Sequence, residues 1–158
     1  LCGHNPHPEK AKALAESCGL RLCASNREVL ERSDVVVLAV KPQILEGVLE
    51  EIKAVKASCN GHILKVIVEA CQLTREEKIA ACRVVSMSGA DFIKTSTGFA
   101  SGGATVEDVA LFREHISPDV RIKAAGGIRT FEQAQAMLEA GADRIGASAL
   151  VALYRQEG

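Results

Sequence analysis

The chain has 158 residues, 47% apolar and 25% charged, with 19 basic and 20 acidic side chains and a formal net charge of −1. That describes one ordinary globular domain, or two very small ones, long enough to bury a core. The balanced charge excludes the basic footprint of a nucleic-acid binder or a polybasic membrane surface, and no apolar run approaches the roughly 18 residues that span a bilayer.

Aromatic residues are scarce, with no Trp, one Tyr and four Phe, so the core must be built from Val, Ile, Leu and Ala. The six cysteines, Cys2, Cys18, Cys23, Cys59, Cys71 and Cys82, form no CxxC pair and no Cys/His ligand spacing. They read as reduced core cysteines of a cytoplasmic protein, with no metal site. No signal-peptide pattern is visible. The chain opens on Leu1, without a Met, inside what reads as a strand, which suggests a truncated or processed start.

Strand and helix alternate along the whole chain. "LCGH" is a strand remnant, and "HPEKAKALAESCG" is a helix that Pro8 can open and Gly19 can stop. "LRLCA" is a short strand, and "SNREVLERS" a short helix capped by Ser25 or Asn26. "DVVVLAV" is a buried strand ended by Lys41-Pro42. Residues 44–59 form a helix with Leu45, Val48, Leu49, Ile52 and Val55 on one face. "HILKVIVEA" is a strand, and Thr74 caps a helix that runs to about Ser88. "DFIKTS" is a strand followed by a glycine-rich loop, and 106–116 is a helix. "VRIKAAGG" is a strand, Thr130 caps the next helix, and Gly141 ends it. "DRIGAS" is the last strand, with a final helix behind it.

About seven strands, each followed by helix, predict an α/β fold of repeated βα units with parallel pairing. In such folds the active face is the one carrying the loops after the strands. Here the loops after the later strands are rich in Gly, Ser and Thr.

Period-2 alternation puts Lys65, Ile67 and Glu69 on one face of their strand. It likewise groups Phe92 with Lys94 and Ser96, and Arg121 with Lys123 and Ala125. If these faces converge, three lysines and a glutamate meet in a small space. Either they snorkel to water and pair as ion pairs, or they build a site. A lysine attacks a carbonyl only as the neutral amine, and burial or a neighbouring ammonium favours that form. Lys94 beside Lys123 is such an arrangement. A carboxylate is then needed to move protons. The turns "TGFASGG" (97–103), "AGGIRT" (125–130) and "IGAS" (145–148) offer backbone N–H groups for an anion.

"HILKVIVEACQLTREEKIAAC", "GADFIKTSTGFASGGATVEDV" and "IKAAGGIRTFEQAQAMLEAGADRIGAS" resemble the second half of deoxyribose-phosphate aldolase, over about 48–152. The resemblance implies a TIM barrel and a class I aldolase that works without a cofactor. Its substrate would be a phosphorylated sugar or aldehyde: 2-deoxy-D-ribose 5-phosphate, cleaved reversibly to acetaldehyde and glyceraldehyde 3-phosphate. It implies that Lys94 is the Schiff-base lysine and Lys123 the lysine that lowers its pKa. It further implies that Gly98, Gly126, Gly127, Gly146 and Ser148 hold the phosphate.

The first third differs. "NPHPEKAKALAESCGLRLCASNREVLERSDVVVLAVKPQ" resembles the Rossmann domain of pyrroline-5-carboxylate reductase, over about 3–46. That family's G-x-G-x-x-G turn and catalytic domain have no counterpart here, so neither reductase activity nor tight dinucleotide binding is expected. The chain therefore reads as a chimera. A Rossmann-type fragment (1–47) joins the C-terminal half of an aldolase barrel (48–158) within one helix, and the two pack as one domain. Designed recombination would explain the join. Asp34, on the strand before the aldolase-like part, falls where the aldolase family has a proton-relay Asp.

Two readings follow. One is an aldolase, intact or impaired. The other is an engineered α/β chimera without catalysis, binding phosphate weakly at most. The strands could curl into an incomplete barrel, stay an open sheet, or close by dimerisation. An exposed parallel edge favours a homo-oligomer.

Overall fold

The computed structural model describes residues 2–5, 8–32 and 45–157. The strands are β1 (Cys2–Gly3), β2 (Arg21–Leu22), β3 (Lys65–Ile67), β4 (Phe92–Lys94), β5 (Arg121–Ala125) and β6 (Arg144–Gly146). The helices are α1 (Pro8–Cys18), α2 (Asn26–Glu31), α3 (Leu45–Ser58), α4 (Arg75–Met87), α5 (Val106–His115), α6 (Phe131–Glu139) and α7 (Ser148–Glu157). Every predicted element among the described residues is present in its predicted order. The predicted strand at 34–40, with Asp34 at its head, lies outside the described residues.

β1 and β2 pair in parallel as a two-stranded sheet, joined by α1. β3, β4, β5 and β6 form a second parallel sheet in sequential order. Sequential order is that of a barrel arc, whereas a doubly wound sheet reverses at its first strand.

Which face of the arc meets the helices follows from alternation. Val66, Ile93, Ile122 and Ala124 are at most 4% exposed. They pack with Ile52 and Val55 of α3, Cys82 and Val85 of α4, Val109 and Phe112 of α5, and Ala134 and Met137 of α6. Burying one Val or Ile contributes about 1.5–3 kcal/mol, whereas an exposed ion pair contributes about 0–1 kcal/mol. The apolar set therefore decides the orientation and turns the charged alternate residues to the opposite face. Helix starts are set locally. Thr74 and Thr130 each close a capping box with Glu77 and Gln133, and the Thr105 hydroxyl accepts from the Asp108 N–H. Burial drives the Cys82 thiol up to about 12, which leaves it an inert core thiol.

β3 and β4 are shorter than the runs "HILKVIVEA" and "DFIKTS" predict. The residues beyond β3 still donate to β4 and the residue after it, Val68 N–H to Lys94 O at 3.1 Å and Ala70 N–H to Thr95 O at 2.8 Å. The regular strand stops because Glu69 turns into the left-handed region, φ 46° and ψ 61°.

A repeated Gly-Ala-Asp sets the strand register. At Gly89-Ala90-Asp91 the Asp91 carboxylate accepts from the Leu64 N–H at 2.7 Å, and Asp91 N–H donates to Leu64 O at 3.0 Å. At Gly141-Ala142-Asp143 the Asp143 carboxylate accepts from the Ile122 N–H at 2.7 Å, and Asp143 N–H donates to Ile122 O at 2.8 Å. Each Asp thus pins the start of its own strand to the strand before. Asp91 also pairs with Lys56 of α3 at 2.6 Å. Burial alone would raise the Asp91 carboxyl, but the Lys56 and Leu64 hydrogen bonds outweigh it and hold the group below its ordinary value.

Because that value is depressed on folding, Asp91 stabilises above the unfolded carboxyl range, and the contribution is lost as pH falls through the folded value. Asp91→Ala should cost about 1–2 kcal/mol at pH 7 in urea unfolding. The difference from wild type should close as the pH is lowered below the folded value; a difference independent of pH would show that the carboxylate does not set it.

Candidate active site

The face of the arc turned away from the helices carries the charge. Its registers pair Lys65 with Phe92, Phe92 with Arg121, Lys94 with Lys123, and Lys123 with Arg144. Lys94 and Lys123 thus leave adjacent strands at the same level, about 4.8 Å apart at the backbone. Five cations and Phe92 share this face. Lys65 Nζ and the Arg121 guanidinium lie 4.8 and 4.3 Å from the centre of the Phe92 ring, which is 3% exposed. Both cations thus rest on the aromatic ring.

Lys94 is half-buried. Burial lowers its pKa most, and the Lys123 and Lys65 ammonium groups lower it further; Glu69 opposes them. Lys65 is lowered by burial first and then by Arg144, Lys123 and Arg121. Arg144 acts on Lys65 across two intervening strands, so the long side chains converge over the inner face. The direction at Lys94 is the one a nucleophilic amine requires.

Glu69 closes the face at the end of β3. Its left-handed backbone is one that non-glycine residues adopt at a cost of about 1–3 kcal/mol, and such outliers cluster at functional sites. From there its carboxylate accepts from the Thr97 N–H, at 3.2 Å to Oε2, and from the Thr97 hydroxyl. Thr97 Oγ1 in turn accepts from the Phe99 N–H at 3.3 Å. The loop 97–103 is thereby tied to β3, and Phe99, 97% exposed, stands at its tip.

The other side of that loop rests on the turn after β5. Ala104 N–H donates to Gly126 O at 2.9 Å. A Cβ on Gly103 would sit 2.3 Å from Gly126 O, so only glycine lets the two loops touch. Thr95 stitches β4 to β5 from below, its hydroxyl donating to Ala125 O at 3.0 Å and accepting from Ala125 N–H at 3.1 Å. Ser96 is fully buried beneath this junction, and its hydroxyl has no hydrogen-bond partner among the described residues. Gly146 on β6 makes room for Lys123: a Cβ there would lie 2.9 Å from Lys123 Cε. Lys94, Lys123 and the glycine turns therefore occupy the C-terminal edge of the four parallel strands. The arrangement offers a half-buried amine beside a second cation, next to two glycine-rich turns. It suits carbonyl chemistry on an anionic substrate.

Of the residues singled out in the sequence, Lys94 and Lys123 meet as expected. Gly98, Gly126 and Gly127 lie in the two loops that touch, and Gly98, Gly126 and Gly127 have φ of 97°, 92° and 75°. Gly146 lies against Lys123, and Ser148 is exposed at the first position of α7. Asp34 lies outside the described residues. Sequence reasoning missed the hydrogen bonds between Glu69 and Thr97, the buried Ser96 hydroxyl and the Phe92 cation sandwich. Alternation placed Glu69 and Phe92 on the correct face, but a non-glycine left-handed residue has no sequence signal.

Comparison with known proteins divides the chain in two. Residues 1–67 match the family model described as NADP oxidoreductase coenzyme F420-dependent, and residues 35–156 match the DeoC/LacD family aldolase model. The chain thus combines a nicotinamide-reductase-like segment with an aldolase segment. The deoxyribose-phosphate aldolase of Clostridium botulinum (strain Eklund 17B / Type B) is 52% identical over 118 residues, 75% of this chain and 53% of the relative. That of Streptococcus sanguinis is 53% identical over 119 residues, 75% of this chain and 54% of the relative. The chain spans about half the length of these curated relatives. Among solved structures, the aldolase QR15 superposes with a TM-score of 0.70 at 32% identity, covering 99% of this chain and 82% of its own. The tetrameric deoxyribose phosphate aldolase of Aeropyrum pernix superposes with a TM-score of 0.62 at 30% identity, covering 90% and 70%. Matched over 35–156, and with its paired lysines on the inner face of a sequential parallel arc, the chain belongs to the DeoC/LacD aldolase family.

Proposed function

We propose that the chain is a Schiff-base aldolase that cleaves 2-deoxy-D-ribose 5-phosphate to acetaldehyde and glyceraldehyde 3-phosphate, and runs the reverse addition. The observation that carries this reading is Lys94 paired in register with Lys123, its amine pushed towards the neutral form by burial and by that neighbour. The neutral amine adds to the C1 carbonyl of the open-chain sugar and loses water to give an iminium. The iminium draws the electron pair of the C2–C3 bond as a base removes the C3 hydroxyl proton. Glyceraldehyde 3-phosphate leaves, and the enamine is protonated at C2 and hydrolysed to acetaldehyde and free Lys94. Asp34 is the carboxylate we assign to move protons. Gly98, Gly126, Gly127, Gly146 and Ser148 are the groups we assign to the phosphate, and the chemistry needs no cofactor. The unpartnered Ser96 hydroxyl beneath the junction supports a polar occupant there.

We assign residues 1–47 to the Rossmann-type fragment and 48–158 to the aldolase half-barrel, packed as one domain of recombined origin. The cysteine pattern supports a cytoplasmic setting, and the outer strands of the arc among the described residues, β3 and β6, support a homo-oligomer.

Borohydride reduction in the presence of acetaldehyde, followed by peptide mapping, tests the reading. An N-ethyl group should concentrate on Lys94 and disappear in Lys94→Leu, with sugar cleavage falling about 10³-fold or more. No label, or label spread evenly over surface lysines, would leave the motif as scaffold alone. Gly146→Ala crowds Lys123 Cε. It should slow trapping at Lys94 about tenfold while leaving the unfolding midpoint nearly unchanged; an unaltered trapping rate would separate Lys123 from the reaction.

A further inference from the structure

One acid stands among the groups that act on Lys94. Lys65 and Glu69 face it from β3 and the residues beyond, and Lys123 from β5; Arg121 and Arg144 complete the charged inner face. The geometry of Glu69 is unusual in two independent ways. Its backbone is left-handed, φ 46° and ψ 61°, in a residue with a full side chain. Its carboxylate reaches across to β4, where Thr97 N–H and the Thr97 hydroxyl both donate to it. The Cys71 thiol lies 4.0 Å from Glu69 Oε1 on the same side. The left-handed turn comes where the carboxylate meets the root of the glycine-rich loop. Val68 N–H donates to Lys94 O at 3.1 Å and Ala70 N–H to Thr95 O at 2.8 Å, so Glu69 lies between two residues hydrogen-bonded to Lys94 and its neighbour.

We propose that Glu69 is a positioning residue with two separable tasks: it clamps the loop 97–103 through Thr97, and it stands beside Lys94 as the counter-charge to the neighbouring cations. The inference rests on the aldolase reading of Lys94. The clamp requires only an acceptor at the end of the side chain, and an amide oxygen supplies one. The electrostatic task requires the negative charge. Glu69 works against Lys123, so the amine is held between the two. Removing the charge leaves the ammonium form of Lys94 facing cations alone.

Competitive acetylation by trace acetic anhydride, read residue by residue by mass spectrometry across pH, reports the neutral fraction of Lys94 without any turnover. Hydrogen exchange at the Thr97 amide reports the clamp. In Glu69→Gln the Lys94 labelling curve should move to lower pH, with neutral amine rising about three- to tenfold at a fixed pH on the limb. Thr97 exchange should stay near the wild-type rate in that variant. In Glu69→Ala the same shift of Lys94 should come with Thr97 exchange at least about tenfold faster. A labelling curve that Glu69→Gln leaves in place overturns the electrostatic task, and unchanged exchange in Glu69→Ala overturns the clamp. A wild-type Lys94 that labels like the exposed Lys53 would sink the aldolase reading and this inference with it. A shifted wild-type Lys94 that ignores Glu69 sinks this inference alone. Far-ultraviolet circular dichroism of both variants establishes that they are folded when compared.

Discussion

Lys94 and Lys123 leave adjacent parallel strands at one level, and the rest of the structure is arranged around that juxtaposition. Two ammonium groups so close repel each other. The fold holds them there because neither can move without shifting a strand whose other face is buried in the core. Ile93 and Ile122 flank the two lysines in sequence, and both are fully buried. A one-residue slip would send those side chains to the charged face and the lysines into the core. Alternation therefore turns apolar burial, worth several kcal/mol over the two strands, into a constraint on the amine. Burial first, and the Lys123 ammonium second, lower the pKa of Lys94.

The supports are layered. Asp91 and Asp143 pin the strand starts by taking the Leu64 and Ile122 N–H groups. Thr95 links β4 to β5 just past the lysines. The missing side chains of Gly103 and Gly146 create space: one lets two loops touch, the other lets the Lys123 stem lie flat. These features are small in energy and precise in geometry, and a reactive amine depends on the second property more than the first.

Much of this was legible in the sequence. Period-2 alternation around Val66, Ile93 and Ile122 named both faces of the sheet, and Thr74 and Thr130 announced the helix starts three residues before their Glu77 and Gln133 partners. The aldolase resemblance was legible in the motifs around both lysines, and the family match over 35–156 bears out the family. Other features depend on tertiary contact and leave no local trace. The strand containing Lys65 is cut short by the left-handed Glu69, whose sequence neighbourhood reads as uninterrupted strand. Lys65 and Arg121 rest on the Phe92 ring, a contact that alternation along the strands does not disclose. The two-family character of the chain was visible as a change of motif set, and two family models meet over 35–67.

The proposed reaction needs Lys94 as the neutral amine, and the central claim is that Lys123 adds to burial in pushing it towards that form. The most direct measurement is the rate of imine trapping at Lys94 as a function of pH in the wild type and in Lys123→Met. Loss of the neighbouring ammonium should carry the acid limb of the profile to higher pH, with slower trapping at pH 7 and recovery in alkali. An acid limb that stays in place, with the rate reduced equally at every pH, would contradict the claim and leave Lys123 a packing residue.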